Sequence, residues 1–114
     1  IWEVSRGFVS EHDLDPADLG IARADIQSLL GAGPEHNAGV ARRVLAGEPG
    51  PVRDIVLLNA AAGLTAFDLA QNPEQLQTPI LGRLAEQLER AATVVDSGLA
   101  AEKLAEWAAA TNRA

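Results

Sequence analysis

The sequence predicts a mostly α-helical chain with an N-terminal β-hairpin. Three observations carry that reading. Two short runs flank Arg6-Gly7 near the start, apolar residues recur at helical spacing from Pro34 onward, and Asp15-Pro16, Gly47, Asn72-Pro73 and Gly98 punctuate the helices. Residues 1–13 are assigned to hairpin strands and residues 14–114 to packing helices.

In the hairpin, Trp2 and Val4 alternate with Glu3 and Ser5, and Phe8 and Val9 open the second run. Glycine at the second turn position accepts positive φ at no steric cost, which suits a tight turn at Arg6-Gly7. An isolated two-stranded hairpin is marginal in water, so these strands need a sheet or a helical layer to lie on.

Asp15-Pro16 starts a short helix: Asp15 caps orphan N–H groups, and Pro16 gives up a donor that has no partner at the first helical position. Gly20 ends it within a turn. Ala22 to Leu30 is expected to form a second short helix, ended by Gly31. Gly31-Ala32-Gly33-Pro34 is a break with neither the Gly-x-Gly-x-x-Gly nor the Lys-Ser/Thr pattern of a nucleotide loop, so loop and cap are preferred over a phosphate cradle. A helix over Pro34 to Ala46 then presents Val40, Val44 and Leu45, and Gly47 closes it. Gly47-Glu48-Pro49-Gly50-Pro51 is a turn cluster too short for a domain linker.

Val52 to Ala70 is the most informative segment, because apolar groups occupy almost every angle around its axis. Asp54, Asn59, Thr65 and Asp68 interrupt the run, which favours burial inside protein over a membrane span. Such a helix is ~30 Å long, and the rest of the sequence offers too little to surround it. Part of its core is therefore expected to come from chain outside this sequence. A buried amide without partners is costly, so Asn59 is expected to tie this helix to a neighbouring backbone segment, with ligand contact as the alternative. On that reading Asn59→Leu lowers stability.

After Thr78-Pro79, Leu81, Leu84, Leu88, Ala91, Ala92 and Val95 form a three-four stripe, flanked by Glu86 and Arg90 as an i,i+4 pair. Gly98 suits a left-handed cap, and Ser97 is available to cap the next helix. Leu99 to Thr111 carries Leu104, Trp107 and Ala108 on one side, and Asn112 to Ala114 is expected to fray.

Composition bounds the chemistry. The 114 residues suit one domain, and a hydrophobic fraction of 47% is too high for disorder. A net charge of −7 argues against a nucleic-acid partner, and the one basic doublet, Arg42-Arg43, reads as a solvated helix face. No apolar run reaches the ~20 residues of a bilayer span. With no Cys there is no disulfide, thiolate metal site or thiol nucleophile, and His12 and His36 alone do not close a zinc site. The chain starts at Ile1 and contains no Met, so it is expected to be a processed chain or a piece of a longer one.

No constellation makes an active site. Asp13, Asp15 and Asp18 resemble a calcium loop only superficially, since Pro16 intrudes and no bidentate Glu follows, so capping and a solvated face are preferred. His12, between Glu11 and Asp13, reads as a surface histidine, and Ser5, Ser10, Ser28 and Ser97 lack a nucleophile-elbow context.

Four blocks in order resemble the C-terminal third of anthranilate phosphoribosyltransferases. They are Leu14-Asp15-Pro16-Ala17-Asp18-Leu19-Gly20; His36-Asn37-Ala38 with Val44-Leu45-Ala46-Gly47; Val52 to Ala62; and Asp96-Ser97-Gly98-Leu99-Ala100. The block from Arg53 to Ala62 is the specific part, and Leu69 to Leu81 matches least. The resemblance implies a cytoplasmic enzyme of tryptophan biosynthesis that transfers phosphoribosyl from phosphoribosyl pyrophosphate to anthranilate with magnesium. It implies a parent α/β domain joined to a small helical domain, usually in a homodimer. The family's Gly-Thr-Gly-Gly-Asp loop, its Lys-His-Gly-Asn-Arg segment, its anthranilate-contacting Arg and its Asp-Glu magnesium pair have no match here, and in the family they lie upstream. No catalytic, cofactor-binding or metal residue is therefore assigned to this chain. Its expected partner is the N-terminal remainder of the same enzyme, where anthranilate, phosphoribosyl pyrophosphate and magnesium would bind. A stand-alone helical interaction module, or a paralogous phosphoribosyltransferase or nucleoside phosphorylase with another acceptor, is the alternative.

Overall fold

A computed structural model describes residues 1–112. Two strands, β1 (Trp2–Ser5) and β2 (Phe8–Glu11), form an antiparallel hairpin in which Trp2 faces Glu11, Glu3 faces Ser10, Val4 faces Val9 and Ser5 faces Phe8. Arg6 and Gly7 both take positive φ, 51° and 81°, so the two-residue turn has the twist that closes a hairpin. The alternation read from the sequence is present, and it is the Glu3 and Ser5 side of β1 that meets the helices. Trp2 and Val4 point away and stay 72% and 69% exposed.

Two single-turn 3-10 segments follow. Pro16–Leu19 starts as expected: the Asp15 side chain accepts from the Ala17 N–H, and Gly20 closes the turn in the left-handed region. The second helix expected over Ala22 to Leu30 shrinks to a 3-10 turn at Ile26–Leu29. Its cause is local, because Asp25 sits in the extended region with its side chain on the Gln27 N–H, which starts the turn only there.

Four helices make up the rest: α1 (Pro34–Leu45), α2 (Pro51–Gln71), α3 (Ile80–Asp96) and α4 (Leu99–Thr111), with a 3-10 segment at Pro73–Gln77 after the Asn72-Pro73 break. The core is the α2–α3 seam, where Leu57, Ala91 and Val95 are buried together with Leu64, Leu88, Ala92 and Ala100 packed around them. Ala61 is wholly buried, and Leu84 is 2% exposed. Leu57, Ala61 and Thr65, each four residues apart, are the buried stripe of α2.

Several expectations change at this level. Burial of α2 on several sides does not occur within this chain: one stripe is covered, and Ile55, Val56 and Phe67 remain exposed because α3 is its main neighbour. Asn59 is exposed, and its amide donates to the Ile55 carbonyl of its own helix rather than to a neighbouring segment. Its replacement by Leu therefore loses the stability argument made for it. Glu86 and Arg90 do not pair; Arg90 turns instead toward Asp68 on α2, at 3.9 Å. Ser97 does not cap α4, because its hydroxyl donates back to the Val94 carbonyl and Gly98, at φ 83°, is the N-cap. Leu104 and Trp107 of α4 are exposed, so the apolar side expected there has no cover. Asn112 is the C-cap of α4, and the remainder of the expected fraying lies outside the described residues.

Candidate functional site

The turn cluster between α1 and α2 and the end of α3 converge at one corner of the helical layer. Gly50 starts α2 at φ 140°, a conformation open to glycine, and the first turn of α2 then carries Arg53. The Arg53 guanidinium reaches across to Asp96, the last residue of α3, with Nη2 2.9 Å from one carboxylate oxygen and 3.0 Å from the other. Gly47, at φ 88°, lies against the same carboxylate: a Cβ there would come within 3.3 Å of the Asp96 Oδ1. Three helix ends thus meet on one ion pair.

Beside that corner lies an open cleft of about 380 Å³ lined by Leu30, Gly31, His36, Asn37, Arg43 and Arg53, among others. Asn37 shapes its wall. Its side-chain Oδ1 accepts from the Ala32 N–H at 2.9 Å while its Nδ2 donates to the Ala32 carbonyl at 2.8 Å, so one amide satisfies both backbone groups of the loop. The loop must come close for this, and a Cβ on Gly31 would lie 3.0 Å from the Asn37 Oδ1. Two cationic groups of the cleft face carboxylates, Arg43 with Glu48 at 3.3 Å and Arg53 with Asp96 through Nη2, while the buried Arg53 Nη1 has no hydrogen-bond partner among the described residues.

A second polar group sits under the hairpin. Arg83 of α3 is 5% exposed, its Nε donates to the Thr78 carbonyl at 2.9 Å, and Nη1 and Nη2 grip the two Glu3 oxygens at 2.6 and 3.0 Å. The hydrogen bond from Arg83 holds the Glu3 carboxyl below its ordinary value against the opposing effect of burial, with the charges of Arg83 and His12 adding to it. His12 places Nε2 3.4 Å from the same carboxylate. Farther along the seam, buried Gln87 donates to Asp68 Oδ2 at 2.8 Å.

Sequence reading missed both Arg83 and Gln87 as interior groups. The available signal was positional: Arg83 precedes Leu84, and Gln87 lies four residues before Ala91, so both sit on the stripe that faces the hairpin and α2. The residues singled out beforehand do not come together into a reactive arrangement. Asp15 is occupied by the Ala17 N–H and by Arg23, and His36 lines the cleft away from His12. Among the described residues no three His, Asp or Glu side chains come together in a group that could hold a metal ion. Among them, too, no helix is long and apolar enough to cross a membrane.

Comparison with known proteins shows what the chain is similar to. The profile of the family described as "Glycosyl transferase family, a/b domain" matches residues 1–101. A protein of Clavibacter michiganensis subsp. michiganensis named anthranilate phosphoribosyltransferase is 68% identical over 111 residues, 97% of this chain and 32% of that protein. Proteins of the same name are 58% identical in Leifsonia xyli, over 97% of this chain and 32% of the relative, and 47% identical in Acidothermus cellulolyticus, over 100% and 31%. The chain spans about a third of the length of the curated relatives it matches.

Proposed function

The chain belongs to the glycosyl transferase family, a/b domain, and from that premise we propose that it is a scaffold segment of an enzyme transferring phosphoribosyl from phosphoribosyl pyrophosphate to anthranilate. The identity of 68% to a relative bearing that enzyme's name carries the reading. Its scaffold role is supported by the corner: Gly47, Arg53 and Asp96 come from three separate blocks of the resemblance, and their contacts are with one another.

Transfer with departure of pyrophosphate needs free cations, metal ions or N–H donors aimed at developing charge. Arg23, Arg43, Arg53, Arg83 and Arg90 instead each face a carboxylate of this chain. The described residues do not fit a magnesium site, and Asp15, the middle acid of its cluster, is held by Ala17 and Arg23. In this reading magnesium and both substrates are held by chain outside this sequence. The exposed apolar side of the hairpin and of α2 is then surface that the remainder of an α/β domain covers. Tryptophan biosynthesis in the cytoplasm, by a homodimer joined outside this segment, completes the proposal.

Loss of anthranilate fluorescence on adding phosphoribosyl pyrophosphate and magnesium tests it. The full-length protein is expected to consume anthranilate, and the 114-residue chain alone to leave it unchanged. Consumption by the chain alone overturns the scaffold role, and a full-length protein that spares anthranilate but uses another acceptor overturns the substrate.

A further inference from the structure

The hairpin rests on the helices by the face that hydrophobicity alone would not choose. One face carries Trp2, Val4, Val9 and Glu11, the other Glu3, Ser5, Phe8 and Ser10, as the register dictates. With one Trp and two Val against a single Phe, the first face has more to gain from burial. It is nevertheless Glu3 and Ser5 of the second face that are partly covered, with Glu3 bonded to α3, while Trp2, Val4 and Val9 are 72%, 69% and 65% exposed and Phe8 is exposed as well.

Arg83 supplies the reason. Its guanidinium is taken out of water, one donor goes to Thr78, and the remaining fork matches a carboxylate in bidentate geometry. A one-residue slip of β1 exchanges every side chain between faces, which would carry Glu3 away and leave a buried cation without counter-charge. Among the described residues, the two Arg83–Glu3 bonds are the only hydrogen bonds or ion pairs joining residues 1–12 to the helices.

We propose that the Glu3–Arg83 pair is an orientation latch, which selects the Glu3 face of the hairpin for contact with α3 and so keeps Trp2, Val4 and Val9 turned away from the helical layer. A buried ion pair is a poor source of net stability compared with an apolar replacement, and its best-attested use is to fix one arrangement among competitors. His12, just after β2, places Nε2 3.4 Å from the same Glu3 oxygen that Arg83 Nη2 holds, without a hydrogen bond to it. The latch stands independently of the transferase reading, since it invokes neither substrate nor activity.

Amide hydrogen exchange on the full-length protein tests it. With Arg83→Met, amides of residues 2–11 are expected to exchange at least tenfold faster, while those of the α2–α3 seam change less than twofold. Glu3→Gln, which leaves α3 intact, is expected to accelerate the same strand amides several-fold and serves if Arg83→Met does not fold. The swapped pair Glu3→Arg with Arg83→Glu is expected to recover most of the protection. Unchanged strand exchange in the folded single variants overturns the latch. Equal acceleration of strands and seam overturns it too, because Arg83 would then be a core residue only.

Discussion

The α2–α3 seam and the hairpin are joined by one ion pair, yet they are built on opposite terms. The seam buries apolar side chains of both partners, with Ala61 wholly covered and Leu57, Ala91 and Val95 packed as a cluster. The hairpin closes its own backbone bonds and meets the helices through charge, leaving its apolar face outward. The outer side of α2 keeps Ile55, Val56 and Phe67 exposed, while along the buried stripe itself the seam is supplied within the chain. A two-stranded hairpin cannot reach that state alone. The difference marks which part of this segment is complete in itself and which waits on something else.

Truncation on each side is the strongest way to break the comparison. Leu84→Ala removes a side chain that is 2% exposed, and it is expected to cost about 2–5 kcal/mol in denaturant unfolding of the 114-residue chain. The midpoint should fall with the slope unchanged. Val9→Ala on the exposed hairpin face is expected to stay within about 0.5 kcal/mol. Equal costs would mean that the hairpin face is covered in the isolated chain and that the contrast is false.

A smaller effect separates two glycines. Gly47 adopts φ 88° with Asp96 Oδ1 3.3 Å from a would-be Cβ, so Gly47→Ala should lose about 1–2 kcal/mol and disturb the Arg53–Asp96 pair. Gly63 lies inside α2 with nothing within 4 Å, and Gly63→Ala should gain about 0.5–1 kcal/mol from helix propensity. Thermal unfolding of both variants checks the opposite signs. A loss at Gly63 would show that the outer side of α2 is packed more closely than the seam comparison requires.

What the sequence made legible follows the range of the interactions. The Arg6-Gly7 turn, the Asp15 cap, the Gly98 cap and the four helices depend on neighbours within a few residues, and each lies where those neighbours put it. The blocks around Gly47, Arg53 and Asp96 were legible as a resemblance, while their convergence on one ion pair was not, because it joins positions 43 residues apart. Arg83 carried no reading of its own in the sequence, standing beside Leu84 of the apolar stripe. Its partner lies 80 residues away on a strand whose apolar alternation hid that Glu3 is the anchoring residue. Asn59 failed the other way: an amide amid apolar neighbours reads as buried only if the helix is covered on that side, and within this chain it is not.

The mildest test uses acid. Arg83 hydrogen-bonds the ionised form of Glu3, and with help from the Arg83 and His12 charges this outweighs burial, so the folded carboxyl titrates below the ordinary glutamate value. A carboxyl with a depressed folded pKa contributes stability that is fully present above the unfolded value and is lost as pH falls through the folded one. Hairpin protection should therefore hold from neutral pH down to about 4.5 and weaken below it, while the apolar contacts of Leu57, Ala91 and Val95 have no charge to lose. Exchange of the strand amides, corrected for the intrinsic effect of pH, should diverge from that of seam amides in this window. Glu3→Gln should remove the divergence by removing the titrating group. Parallel loss in strands and seam, unaltered by Glu3→Gln, would mean that acid acts on the whole fold and that the ion pair does not set the hairpin apart.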